Sequence, residues 1–332
     1  MGAPDSDQAL NVLPGHKMLL QGRGFEAVKL TVIGSLISLI TVVALIPFMI
    51  PVVAWIYPII SPYIGWILLS VVSFMILKEM KLEKIFWGFF IFIISGLLGI
   101  VVFSISNFQQ PLFPLLSGMF GISTLLLSLN SESTIPEQRI TEDIKIPKVN
   151  MIKAIGASVF SGSLTGMFPG LGAAQAAIIA SQITGKIGMY SFMVLVGGIN
   201  TVNFLFSLVT LLVLDKARNG AIVAVKEIVG VINIDVLAVF VCVALIAGGI
   251  ATFLAFGLAR VFCKVMGKVN YKLLCISVII FITALVFYFS GCLGLFVLLI
   301  STAIGIVPAV VGVGRNNAMG CLLLPVILYF LF

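Results

Sequence analysis

Residues 30–50 read LTVIGSLISLITVVALIPFMI, without one charged side chain, and comparable apolar runs recur at 63–77, 85–105, 112–129, 187–213, 236–259, 273–290 and 293–311, with a last piece at 318–332. About 20 apolar residues in a helix cross the roughly 30 Å hydrocarbon core of a bilayer. Lipid offers no partner to a free backbone group, so only helices and closed barrels cross it. The runs lack the two-residue alternation of a membrane barrel. The chain is therefore expected to be all-α, a polytopic membrane protein with about 8–10 transmembrane segments counting partial ones.

Composition agrees. Of 332 residues, 61% are hydrophobic and 9% charged, with a mean hydropathy of +1.26; soluble domains hold about 45–50% and about 25%. In a soluble domain the net charge of +7 would point to nucleic acid, but the 19 Lys and Arg gather in loops such as Lys78–Lys84 and Arg260–Lys272. Those are topology signals, so no nucleic-acid partner is expected, and the protein is placed in the cell membrane as a multi-pass chain in contact with the lipid bilayer. Five cysteines without a CxxC pair and the single His16 support neither a disulfide framework nor a zinc site. No GxSxG, no Ser/His/Asp set and no P-loop occurs, so enzymatic activity, a cofactor and coupling to ATP by this chain are not expected. The opening 29 residues form a polar loop with no signal-peptide pattern. Such a start is expected where more of the protein precedes it.

The longest hydrophilic stretch is SESTIPEQRITEDIKIPKVN, residues 131–150. It reads as a solvated cytoplasmic linker between the remainder of a first membrane repeat, 1–130, and a second repeat, 151–332. With Lys17, Arg23 and Lys29 in the cytoplasm, alternate crossings return Lys78, Lys81 and Lys84, and then Lys145, Lys148 and Lys153, to the same side. The Arg260 cluster joins them only if 151–184 enters and leaves on one side.

That segment contains GSLTGMFPGLGAAQAAII, with Pro169, Gly170 and Gly172 in the middle of an apolar run. Each flank is short; twelve helical residues cover about 18 Å. Two short helices meeting at Phe-Pro-Gly-Leu-Gly make a re-entrant hairpin, tolerated where broken backbone is buried in protein or lines a cavity. Small residues at intervals of four, Ser158, Gly162, Gly166 and Ala173, Ala177, Ser181, let both arms approach neighbours closely. Free amides at the start of the second arm, with Gln175 nearby, favour an anionic group.

In the following span Gly197, Asn200, Asn203, Ser207 and Thr210 fall on one helical face. The two asparagines either bond between helices or hold a solute. The span ends at Asp215, Lys216, Arg218 and Asn219, followed by an apolar piece too short to cross. Lys216 and Arg218 are either interfacial anchors or compensating charges. Arg315, Asn316 and Asn317 repeat the Arg-Asn pattern between arms carrying Pro308 and Pro325, and the opening Asp5-Ser6-Asp7 loop is a further candidate member, unless its acids only cap a helix. Paired interruptions of this kind mark inverted-repeat transporters with re-entrant broken-helix hairpins, whose site forms where the broken helices meet.

GAPDSDQALNVLPGHKMLLQGRGFEAV at the start, GSLTGMFPGLGAAQAAI in the middle and VPAVVGVGRNNAMGCLLLPVILYFL at the end together resemble the TctA-like large permease subunit of the tripartite tricarboxylate transporters, in a short, archaeal-type form. The resemblance implies a secondary active transporter that moves a small anionic solute, a di- or tricarboxylate, by alternating access coupled to a sodium or proton gradient. It implies as partners a small membrane subunit and an extracytoplasmic solute-binding protein. Pro169, Gly170 and Gly172 would then face the substrate and Lys216–Asn219 would stand in the partner loop. The family's first repeat carries its own Pro-Gly loop upstream of Gly2. DKARNGA stands where bacterial relatives favour an uncharged loop. Two alternatives remain open: a translocase for a polyprenyl-phosphate-like lipid, and a non-transporting membrane scaffold.

Overall fold

The computed structural model describes residues 14–15, 17–19, 21–77, 81–129, 136–140, 144, 146–168, 171–185, 187–217, 219–266 and 270–332. Among them every regular element is helical. Six helices are long and apolar enough to cross a membrane. The chain is an all-α polytopic membrane protein. Large apolar side chains point outward along these spans, Phe253 at 79% exposure among them. In water such a surface would aggregate; here hydrocarbon covers it.

The helices gather into two compact units, and each unit takes segments from both sides of the linker: residues within 10–61 and 135–267 form one, and 62–134 and 268–332 the other. The first unit holds α1 (Gly24–Ile60), α5 (Lys148–Met167), α6 (Ala173–Thr184), α7 (Gly188–Leu214), α8 (Gly220–Val229) and α9 (Ile234–Met266). The second holds α2 (Ile64–Leu77), α3 (Leu82–Ser104), α4 (Leu112–Leu129), α10 (Tyr271–Val311) and α11 (Gly320–Leu331).

In the first unit α1, α5 and α7 pack side by side, held where small residues let backbones touch. Gly34 of α1 lies against the Val194 carbonyl, and Gly197 of α7 against the backbone of Thr31. A Cβ at Gly162 of α5 would sit 2.6 Å from Val202 Cβ and 2.8 Å from the Ile199 carbonyl oxygen. Hydroxyls bridge the same faces: Ser35 with Thr201 at 2.6 Å and Ser38 with Ser158 at 2.9 Å. Between membrane helices there is no hydrophobic drive, so close contact and such hydrogen bonds hold them together. Within the second unit, Gly99 meets the Cys321 carbonyl, Gly320 that of Phe92 and Gly305 that of Met119. There α4 widens into a π-helical turn over Ser117–Ile122.

Two sequence expectations need correction. A straight helix was expected to stop near residue 46, yet α1 continues through Pro47, Pro51 and Pro58 to Ile60. Each proline removes a single backbone bond, whereas opening the helix in an apolar layer would strand several polar groups at several kcal/mol each. The linker is not simply solvated. Gln138 Oε1 accepts from the Gly24 amide at 2.8 Å, its Nε2 donates to the Leu19 carbonyl at 3.0 Å, and the Arg139 amide donates to the Gly22 carbonyl at 2.8 Å. Residues 136–140 thereby cap α1, whose N-cap Arg23 supplies no side-chain bond. The break expected between 290 and 293 is present as Gly291, at φ 64° inside α10.

Candidate functional site

The hairpin of α5 and α6 is built on α7. Ser158, Gly162 and Gly166 of α5 face Gly198, Val202 and Phe206 in register, a Cβ at Gly166 lying 2.8 Å from the Phe206 ring. Two residues later the helix ends at Phe168, in extended conformation. Beyond Phe206, α7 continues for eight residues to Leu214, about 12 Å. The described end of α5 thus lies alongside α7 and not beyond its end. Pro169 and Gly170 lie outside the described residues.

α6 is capped at Gly172 and runs 12 residues back, from Ala173 to Thr184. Helix geometry leaves the amides of its first turn without an intrahelical acceptor. The Gly172 amide is satisfied by Gln175 Oε1 at 3.0 Å. Ala173 and Ala174 follow in that first turn, each 1% exposed. Gln175 is 0% exposed, and its Nε2 has no hydrogen-bond partner among the described residues. A buried donor left unmade costs about 1–3 kcal/mol. The start of α6 thus combines a positive helix end with a side-chain donor that has no partner among the described residues.

Asn200 and Asn203 are half-buried. Met193, Val196 and Ile199 share a core with Ala173, Ala176, Ala177 and Ala180 of α6. At 100° per residue the asparagines continue that α6-facing stripe toward the turn, and the Asn203 carbonyl lies 3.4 Å from a Cβ at Gly166. Ser207 and Thr210 bond back to carbonyls of α7, at 2.7 Å and 3.0 Å. Gly197 leaves this face and packs on α1.

The Lys216 loop lies at the far end of α7. Lys216 Nζ donates to Tyr57 Oη at 3.0 Å. Asp215, at φ 51°, pairs with Lys226 at 2.8 Å, both side chains well exposed. Asn219 Oδ1 caps α8 by accepting from the Ile222 amide at 2.9 Å. Arg218 lies outside the described residues, as do Asp5, Ser6 and Asp7. In the second unit Arg315 donates to Thr124 Oγ1, and burial pushes its guanidinium below the ordinary arginine value. Asn316 beside it is half-buried.

A polar cluster at the start of α1 was not foreseen. Glu26 is 6% exposed and accepts from Tyr190 Oη at 2.7 Å; Arg23 Nη1 donates to the same hydroxyl at 3.2 Å. An acid in a first helical turn reads from sequence as a dipole partner, and nothing local announces a tyrosine 164 residues away.

A multi-pass helical protein with two short helices packed as a hairpin along a longer apolar helix has the organisation of a membrane permease. The chain belongs to the Tripartite tricarboxylate transporter TctA family, whose family model matches residues 1–320. It is 29% identical over 344 aligned positions to the uncharacterized protein MJ1079 of Methanocaldococcus jannaschii, an alignment covering 100% of this chain and 83% of that protein. No solved structure matches the chain.

Proposed function

We propose that the protein is a secondary active carrier for a small di- or tricarboxylate in the cell membrane, with the solute's carboxylate held at the start of α6. The observation that carries this reading is Gln175, fully buried beside the start of α6, whose Nε2 has no hydrogen-bond partner among the described residues. A carboxylate is a divergent acceptor and matches that donor set. Asn200 and Asn203 contribute polar contacts on the adjoining stripe or hold the coupling ion, sodium or proton. In the same reading 1–130 is the remainder of the first repeat and 151–332 the second. Lys216, Arg218 and Asn219 form the charged partner loop of the second repeat, Arg315 with Asn316 is a further charged loop in it, and Asp5, Ser6 and Asp7 belong to the first repeat's share of the site. A small membrane subunit and an extracytoplasmic binding protein deliver the solute.

The test is uptake of labelled di- and tricarboxylates by proteoliposomes under imposed sodium and proton gradients. Gradient-dependent uptake is expected, with loss of at least tenfold in Gln175→Leu and in Gly170→Leu at unchanged membrane insertion. Undiminished uptake in either variant would remove the hairpin from the site, and no uptake of any carboxylate by well-folded protein would end the carboxylate reading.

A further inference from the structure

In the second unit a glycine turn opens a helix on buried polar side chains. After α10 ends at Val311, Gly312 stands at φ 72° and Gly314 caps a 3-10 turn, Arg315–Met319, that runs directly into α11. Arg315–Leu331 is one apolar helix. Counted from its capping glycine, Asn317 takes the position that Gln175 takes from Gly172 in α6. Asn317 is 4% exposed. Its backbone amide donates to the Gly314 carbonyl at 3.2 Å, while its side-chain amide forms no hydrogen bond among the described residues.

The amide nitrogen points at Gly88 of α3: a Cβ there would lie 3.0 Å from Asn317 Nδ2, 3.6 Å from Asn317 Cγ and 3.6 Å from Val313 Cγ1. A side chain at 88 would crowd that nitrogen, and glycine leaves its approach open. Arg315, two residues earlier on the same turn, brings the charge. Its guanidinium donates to Thr124 Oγ1 of α4, a hydroxyl whose own proton goes to the Phe120 carbonyl at 2.7 Å, so this partner is neutral. The ion pair among the described residues is Lys226–Asp215, in the other unit, and none of their carboxylates meets Arg315. A half-buried guanidinium without a counter-ion is unfavourable until an anion completes it. The positive end of the helix acts in the same sense.

We propose that Arg315 and Asn317 form an oxyanion-binding site in the second unit, where the guanidinium meets the charge of a carboxylate or phosphate group and the Asn317 amide donates to one of its oxygens. The carboxylate of a dissolved acid and the phosphate of a lipid headgroup present this same chemistry. The site goes beyond the reading of α6: it shares no residue with Gln175 and stands whether or not Gln175 binds solute. Gly88→Ala places a methyl group in front of Nδ2 and leaves both binding side chains in the chain.

The test is modification of arginines by phenylglyoxal in the full chain in phosphatidylcholine vesicles, followed residue by residue by peptide mass spectrometry at constant ionic strength. Succinate, inorganic phosphate, and phosphatidylglycerol mixed into the bilayer are each compared with chloride alone. Modification of Arg315 is expected to slow at least fivefold with one or more of them, while Arg139, which is exposed, keeps its rate. Slowing by succinate or phosphate identifies a dissolved acid as the source, and slowing by phosphatidylglycerol alone identifies a headgroup. Asn317→Leu and Gly88→Ala are each expected to remove most of the slowing and Gln175→Leu none of it, so the result stays readable if one variant fails to fold. An Arg315 rate unchanged by all three anions would overturn the proposal, as would equal slowing at Arg139, which is ionic screening. So would slowing that survives both substitutions, slowing lost in Gln175→Leu, or an Arg315 that does not react even in chloride.

Discussion

Glu26 shows how much one hydroxyl can matter in a buried setting. Its carboxylate is almost wholly removed from solvent and takes a 2.7 Å bond from Tyr190. Replacing that donor while leaving the acid in place costs about 1–3 kcal/mol. Tyr190→Phe should therefore lower the thermal midpoint in detergent, and Glu26→Gln in the same background should recover part of the loss; an unchanged midpoint in Tyr190→Phe would show that the bond contributes nothing. Gln175 has the opposite balance, its carbonyl oxygen engaged and its nitrogen idle. Gln175→Glu would bring a carboxylate to the place proposed for that of the solute. Uptake should then fall further than in Gln175→Leu, read as initial rates in vesicles. The residues around the turn were legible because proline and glycine together break an apolar run that would otherwise continue as one helix. Glu26 with Tyr190 was not, because a pair brought together by helix register leaves no trace in local spacing.

At the level of the helices, the hairpin depends on glycines that bring α5 onto α7. Gly162→Leu drives a side chain into Val202 and the Ile199 carbonyl, an overpacking that costs about 1–3 kcal/mol or more. Gly156→Ala, with open space around its new Cβ, should be neutral or slightly stabilising. Comparing the two by thermal unfolding separates steric lock from helix propensity, and equal effects would refute the lock. The stripe of small residues at 158, 162 and 166 was readable as a close-packing face, though not that α7 would be its partner. Pro47, Pro51 and Pro58 misled because the usual rule for proline is calibrated in water. There a broken helix finds solvent partners, and in lipid it does not. Gln138 was unreadable for a different reason: its amide fits a helix start 114 residues earlier, and polar composition alone reads as solvation.

For the chain as a whole, the two compact units are interleaved in sequence. α1 packs in one unit with α5–α9, although α2–α4 of the other unit lie between them in the chain. A cut between residues 133 and 134 should therefore give two fragments of which neither accumulates in membranes alone, while co-expression restores both, as measured by immunoblot of membrane fractions; fragments stable on their own would contradict the interleaving. Class and crossing segments were evident from apolar run length. The interleaving was not, since run length carries no information about which run packs on which. Ser35 finds Thr201 only after 166 further residues have been made, and at about 5–20 residues per second that takes roughly 8–33 seconds. Ser38 waits 120 residues for Ser158, and until α7 is made α1 lacks the partners that Gly34 and Ser35 meet there. Its hydroxyls can turn back onto their own carbonyls, as Thr41 does at 2.7 Å. The growing chain must therefore keep a half-finished seam from closing on the wrong neighbour, and the order of synthesis becomes part of what the sequence has to encode.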